Sequence, residues 1–374
     1  MKNVLIVRLS AIGDVVMASG LITAVHARYP DAKITWLVEP AASALLKENP
    51  AIENVIIWPK KDWLSLWKNK QWRQLFNTIR AFRRQLHALN FDIALDAQGI
   101  LKSSFLSWLS GAKVRPGLSG KEPVWLFHTH TLKKDHNHPV ISSEYIQLAE
   151  HIGASATDYV MDLPYAQSTE QKVDAQLAEH GLAGRPYVVI CPFTTRPQKY
   201  WFDEHWQATV TELKQRYDLP VVILGGPGDV QHAAKLCAQS AEPLVNLVGK
   251  TSLTEAVAVI DKAAALIGVD TGLTHVGIAK HTPTVAIFGS TRPYLETRSA
   301  SASVIYLGLS CSPCRRKPSC VGAYTCMKNI TPEQVLTRLV SLVPEGWLGF
   351  EGESESEDRT SSQTIIPSQQ VEPL

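Results

Sequence analysis

The chain has 374 residues, 45% of them hydrophobic and 19% charged, which is too long for one ordinary core and suits two domains of a globular protein. A formal net charge of +2 gives no global reason to bind nucleic acid, and no such partner is expected. The apolar run near the start, Val4 to Val7, ends at Arg8, too short for a signal or a membrane span. A cytoplasmic enzyme that can still touch a membrane surface is therefore expected.

Val4 to Val7 reads as a strand of a parallel sheet covered on both faces. It runs into the turn Arg8-Leu9-Ser10-Ala11-Ile12-Gly13-Asp14, and a helix is expected from about Val15 to Tyr29, stopped by Pro30. Ile34 to Val38 and Asn54 to Trp58 follow as strands. Next comes a basic, aromatic stretch with Lys60, Lys61, Trp63, Trp67, Lys68, Lys70, Trp72 and Arg73, leading into an amphipathic helix that ends near Leu89. Phe91 to Asp96 is a further strand, and a helix starts at about Leu101. His128, His130, His136 and His138 lie together. Without a cysteine or carboxylate cluster at ligand spacing, a solvated basic loop is the better reading than a metal site. Ser142 to Gly153 reads as a helix, and Asp162-Leu163-Pro164 breaks the pattern.

Ser168 to Gly181 reads as a polar linker helix stopped by its glycine. A second alternating series follows: Tyr187 to Ile190, Pro220 to Leu224, Leu244 to Val248, Ala264 to Val269 and Thr284 to Phe288. Thr331, Pro332 and Gln334 open a last helix to about Val343. Beyond Gly349 the composition turns to Glu and Ser, as in a disordered tail. Strands alternating with helices imply βαβ units. The expected division is residues 1–164, a linker helix in 165–184, a second half in 185–345 and a tail in 346–374, with a cleft between the halves.

The chemistry concentrates where strands end. Gly268-Val269-Asp270-Thr271-Gly272-Leu273-Thr274-His275 joins a strand to a helix, at the edge where doubly wound sheets bind ligands. Backbone N–H groups at Thr271 and Gly272 suit a phosphate, whereas Asp and Thr at such a turn also serve as plain caps. Thr194, Thr195 and Lys199, in the turn after Ile190, supply hydroxyls and a point charge of the kind that holds phosphate oxygens. Asp229, after Gly225-Gly226-Pro227-Gly228, is placed to accept from a ribose hydroxyl. No Walker lysine follows those glycines, and the first turn lacks G-x-G-x-x-G. Asp14 faces the cleft from the first half, either as a general base or as a helix cap.

These residues carry a resemblance. Ser10-Ala11-Ile12-Gly13-Asp14-Val15, Asp96-Ala97-Gln98-Gly99-Ile100-Leu101-Lys102-Ser103, Lys121-Glu122-Pro123, Thr194-Thr195-Arg196 with Lys199-Tyr200-Trp201, and Val269 to His275 occur in order. Over residues 1–343 the chain is similar to the heptosyltransferases of lipopolysaccharide core assembly, glycosyltransferase family 9. The first, second and fourth motifs look most like the heptosyltransferase I subgroup. The resemblance implies an α/β GT-B fold, two Rossmann-like domains facing a central cleft. It implies an inverting, metal-independent transfer of heptose from ADP-heptose to a Kdo–lipid A acceptor. In that scheme Asp14 is the base. Thr194, Thr195, Lys199, Asp229, Asp270, Thr271, Gly272 and His275 hold the donor. Lys60, Lys61 and Lys121 meet the anionic acceptor, with transient contact to the inner membrane's cytoplasmic face. In the relatives the residue matching Asp229 is Glu, so its role carries over by charge and position. A family 9 enzyme moving a later heptose or another sugar, and a GT-B-fold nucleotide-sugar epimerase, are the alternatives. One departure is Cys311, Cys314, Cys320 and Cys326, which resemble a heptosyltransferase II loop. Four thiolates at that spacing either hold a structural zinc or are packed or oxidised thiols.

Overall fold

The computed structural model describes residues 1–135, 137–291, 293–314 and 317–343. The expected tail and His136 lie outside the described residues. Two six-stranded sheets, every strand parallel, organise the chain. The first contains β1 (Asn3–Val7), β2 (Lys33–Val38), β3 (Asn54–Ile57), β4 (Ile93–Asp96), β5 (Pro116–Leu118) and β6 (His130–Leu132), in the order β3-β2-β1-β4-β5-β6. The second contains β7 (Val188–Cys191), β8 (Val221–Ile223), β9 (Leu244–Asn246), β10 (Ala265–Val269), β11 (Thr284–Phe288) and β12 (Ala302–Tyr306), in the order β12-β11-β10-β7-β8-β9. The two orders are the same winding used twice.

The central strands are buried along almost their whole length, which is why they read as unbroken apolar runs rather than alternating ones. The winding reverses between β1 and β4 in one sheet and between β7 and β10 in the other. Neighbouring loops diverge there and open a crevice at the carboxyl edge. Register sets what lines it. Val7 pairs with Asp96, and Gly268 pairs with Cys191, so the turns after β1 and β4, and after β7 and β10, leave their sheets side by side.

The halves meet through two helix starts. Helix Ile12–Ala18 follows the β1 turn, and helix Gly272–Ala279 follows β10. A Cβ built on Gly13 would lie 2.5 Å from His275 Cδ2, and one on Gly272 would lie 2.7 Å from Ile12 Cγ2. Only glycine at both positions allows this approach. Helix Gln167–Glu179 bridges the halves elsewhere: Glu48 accepts the Ala166 N–H and the Thr169 hydroxyl, while Lys262 pairs with Glu170 and Asp174. One apolar cluster runs through both halves.

Some elements differ from expectation. The single helix expected from Val15 to Tyr29 is broken at Ser19, into Ile12–Ala18 and Gly20–Arg28. The Met17 carbonyl is taken by the hydroxyls of Ser142 and Tyr159, and Gly20 seats the Tyr159 ring, so tertiary contacts bend the chain there. β5, β6 and β12 were not anticipated. The basic stretch is itself a helix, Lys60–Lys68, ahead of Trp72–His87. Among the described residues no helix is long and apolar enough to cross a membrane.

Candidate active site

A cavity of about 740 Å³ lies between the halves, at both crevices. Residues 9–14 line it from the first half, with Met17, Ala41 and Ala42. Phe193 to Arg196, Lys199, Gly228, Asp229, Asp270, Thr271, Gly272 and His275 line it from the second. The expected base and all the expected donor residues therefore share one cavity.

Asp14 sits in the first turn of its helix, and its Oδ2 accepts the Ala11 N–H at 3.0 Å. The same oxygen is 2.6 Å from Nη2 of Arg8. Arg8 itself is buried, donates from Nη1 to the Ala97 carbonyl at 3.0 Å and lies over the Tyr145 ring. Burial alone would lower the Arg8 pKa, yet Tyr145 and the carboxylates of Asp14 and Glu144 raise it, so the cation is fixed. Asp14 is thus both a helix cap and an oriented carboxylate. Both contacts use Oδ2, so Oδ1 stays available to the cavity.

Opposite stands Asp270. It does not cap its helix: its carboxylate pairs with Lys199 Nζ at 2.6 Å, faces His275 Nε2 at 3.6 Å and accepts the Thr291 hydroxyl at 2.5 Å. Burial pushes the Asp270 carboxyl up, but the His275 and Lys199 interactions outweigh it and hold the group well below the usual carboxylate range. Lys199 also donates to the Asp270 carbonyl at 3.2 Å. His275 Nδ1 meets the Tyr294 hydroxyl at 2.6 Å. Burial first, and then the Asp270 charge, push the Tyr294 phenol well above its ordinary range. The Thr271 side chain makes no cap bond to its helix, which leaves the first-turn N–H groups of Gly272–Ala279 without a side-chain acceptor, at the positive end of the helix dipole. Asp229 lines the cavity while its Oδ2 accepts the Gly226 N–H at 2.9 Å.

The expected acceptor lysines are placed elsewhere. Lys60, Lys61 and Lys121 do not line the cavity. Lys60 and Lys102 both bond Glu39, directly after β2, at 3.0 and 3.2 Å, and both ammonium groups lie near the Trp58 ring. Burial would raise the Glu39 carboxyl, but the two lysines lower it, so it stays charged. Glu39 precedes Ala41 and Ala42, which line the cavity, so this cluster lies beside the cavity wall. Lys61 and Lys121 are exposed.

Sequence reasoning missed Arg8, Thr291, Tyr294 and Lys102. Arg8 was the most accessible of them, a charge directly after a fully apolar strand. The loop reading of the histidines needs correction at His128. It is buried against Asp96 Oδ2 at 2.9 Å, and Asp96 also accepts from Gln98, Gly99 and Ser103. Among the described residues no group of three or more His, Cys, Asp or Glu side chains is arranged to hold a metal ion. Cys311, Cys314, Cys320 and Cys326 are free thiols. Their loop lies against the turn after β11, with Ser312 donating to the Gly289 carbonyl.

The description glycosyltransferase family 9 (heptosyltransferase) matches residues 79–325. The chain belongs to glycosyltransferase family 9. Within the family it is 27% identical over 371 residues to lipopolysaccharide heptosyltransferase 1 of Pseudomonas aeruginosa, covering 91% of this chain and 98% of that one. It is 28% identical over 358 residues to lipooligosaccharide heptosyltransferase 2 of Haemophilus influenzae, covering 91% and 99%. The structure of E. coli heptosyltransferase WaaC with ADP-2-deoxy-2-fluoro heptose superposes with a TM-score of 0.65 at 25% identity, over 90% of this chain and 98% of that one. The fold is therefore the GT-B fold that the motifs implied, and the enzyme is a glycosyltransferase rather than an epimerase.

Proposed function

We propose that this chain is an inverting heptosyltransferase that moves heptose from ADP-heptose to the Kdo of a Kdo–lipid A acceptor in lipopolysaccharide core assembly. The observation that carries the reading is the shared cavity: one oriented carboxylate from the first half faces a phosphate-suited helix start and a lysine from the second.

In this reading Asp14 Oδ1 takes the proton from an acceptor hydroxyl. The oxygen then attacks the anomeric carbon of the heptose from the side opposite ADP. The bond from that carbon to the β-phosphate oxygen breaks, its electron pair leaves on ADP, and the configuration inverts. Arg8 holds the Asp14 carboxylate by its other oxygen, which keeps the base aimed. The Thr271 and Gly272 N–H groups and Lys199 face the charge that develops on the departing diphosphate. Lys199 must be shared with Asp270, and the His275–Tyr294 pair holds Asp270 in place for that exchange. Asp229 accepts from the ribose, and the Thr194 and Thr195 hydroxyls donate to phosphate oxygens. These fixed donors carry the leaving-group charge, so the scheme uses no metal. Lys60, Lys61 and Lys121 meet the acceptor's anionic groups outside the cavity.

Both heptosyltransferase 1 and heptosyltransferase 2 relatives resemble the chain, and the cysteine loop favours a second reading in which a later heptose is added. Mass spectrometry of the product separates them. ADP-heptose with Kdo–lipid A should yield one added heptose. Transfer only onto an acceptor that already carries heptose would select the second reading, and transfer to neither would overturn both.

A further inference from the structure

Asp96 ends β4 and is fully buried, and its carboxylate accepts four hydrogen bonds. Oδ1 takes the N–H groups of Gln98 and Gly99 at 3.0 and 3.1 Å, and Oδ2 takes the Ser103 hydroxyl at 3.0 Å and His128 Nε2 at 2.9 Å. Four bonds use up the lone pairs of a carboxylate, so Asp96 has none left for a ligand or a substrate proton. What it does is fix the turn 96–99. Gly99 completes that turn at φ +70°, where a Cβ would lie 2.4 Å from the Leu118 carbonyl oxygen, so only glycine fits.

The fixed turn reaches the loop that carries Asp14. Pairing between β1 and β4 ends at Val7 and Asp96, with one further bond from the Ala97 N–H to the Val7 carbonyl. The winding reverses at this pair of strands, so the loops diverge past Val7 and the sheet ladder stops. Leu9 is nevertheless fully buried, and a buried backbone N–H without a partner is costly. Gln98 supplies the partner: its Oε1 lies 3.1 Å from the Leu9 nitrogen. A backbone N–H can only donate, so the amide oxygen is the atom that accepts. On the other side of Leu9, its carbonyl accepts the Glu39 N–H at 2.9 Å. The neighbouring Ala97 carbonyl accepts from Arg8, so the turn 96–99 grips the base loop at two consecutive residues. We infer that Gln98 is a positioning residue for Asp14. Its bond to Leu9 holds the loop 8–14, and with it the carboxylate, at one place in the cavity. The inference rests on the reading of Asp14 as the base, and it gives a role to a side chain outside the base, donor and acceptor sets.

Gln98→Met keeps the length of the side chain and removes the acceptor. Hydrogen–deuterium exchange of the full chain needs no reaction to be observed. Amides in 9–14 should exchange about fivefold faster in this variant, with exchange in the second half unchanged. Gln98→Glu, which returns an oxygen at the same reach, should restore slow exchange. In heptose transfer, Gln98→Met should lower kcat by about tenfold and leave the acceptor KM and the ADP affinity within about twofold. Because the effect passes through Asp14, adding Gln98→Met to Asp14→Asn should lower the residual turnover by less than about twofold. Unchanged exchange in 9–14 would overturn the inference, and so would faster exchange throughout the chain. A raised acceptor KM at native kcat would make Gln98 a substrate contact instead, and a further tenfold loss on top of Asp14→Asn would show an effect that bypasses the base. If Asp14→Asn keeps native turnover, the proposed reaction fails and the inference with it. If Asp14→Asn loses turnover while Gln98→Met keeps native kcat, the inference alone fails.

Discussion

Arg8 Nη2 lies 2.6 Å from Asp14 Oδ2, the arginine directly after β1 and the aspartate in the first turn of the helix that follows. The arginine is buried and held by the Ala97 carbonyl, so the pair is anchored from the protein side and open on the cavity side. A surface ion pair would contribute little, but here the fixed partner aims a carboxylate. Arg8→Met should therefore lower kcat by about 10²-fold with little change in ADP affinity, a split read from steady-state kinetics and calorimetry. Arg8→Lys should recover only part of the loss, because one ammonium cannot reproduce the guanidinium's two fixed directions. Equal loss of ADP binding would mean that Arg8 holds the fold together rather than the base.

Gly13 and Gly272 are where the halves touch, and a methyl group at either meets a neighbour under 3 Å away. Gly13→Ala and Gly272→Ala should each wedge the halves apart. Turnover should fall, and the radius of gyration in solution scattering should rise, while each half stays folded. Unchanged scattering with unchanged turnover would show that the contact relaxes at no cost.

Lys199 and Asp270 are a largely buried pair, each about 15% exposed at the side chain (15% and 14%). Removing only the cation leaves a carboxylate stranded, and Lys199→Met should cost about 3 kcal/mol in denaturant unfolding. Replacing both, in Lys199→Met/Asp270→Asn, should return most of that stability while ADP binding stays weak. A double variant as unstable as the single one would contradict the pairing.

The same pair sets an acid limit. Asp270 has a lowered carboxyl pKa in the folded protein, so its contribution is present at neutral pH and is lost as pH falls below the ordinary carboxylate value of about 3.9. Stability followed from pH 7 downward should drop more steeply below pH ~4 in the native protein than in Asp270→Asn. Parallel curves would remove Asp270 as the source.

Much of this was legible before any coordinates. The buried strands are unbroken apolar runs, and the polar residues that matter stand directly after them, so Asp14, Lys199, Asp229 and Asp270 could be found by looking at strand ends. What was illegible depends on distant partners. His128 reads as one of four polar histidines, and it is buried because Asp96 accepts from it and Gly117 leaves it room, a Cβ there lying 2.3 Å from the ring. β5 and β6 are three residues each, too short for any periodicity to show. Ser19 breaks a helix whose local sequence would continue it, because two hydroxyls from outside the helix compete for the Met17 carbonyl. Lys60 reads in the sequence as an acceptor lysine, whereas its pairing with Glu39 needed the fold.

The most direct test is the turnover of Asp14→Asn. The amide can still accept the Ala11 N–H, so the helix start should survive, but it cannot take a proton. kcat for heptose transfer should fall by roughly 10³-fold, with ADP affinity within about twofold of the native protein. A fall of less than about tenfold would reduce Asp14 to a helix cap and leave the proposed transfer without its base.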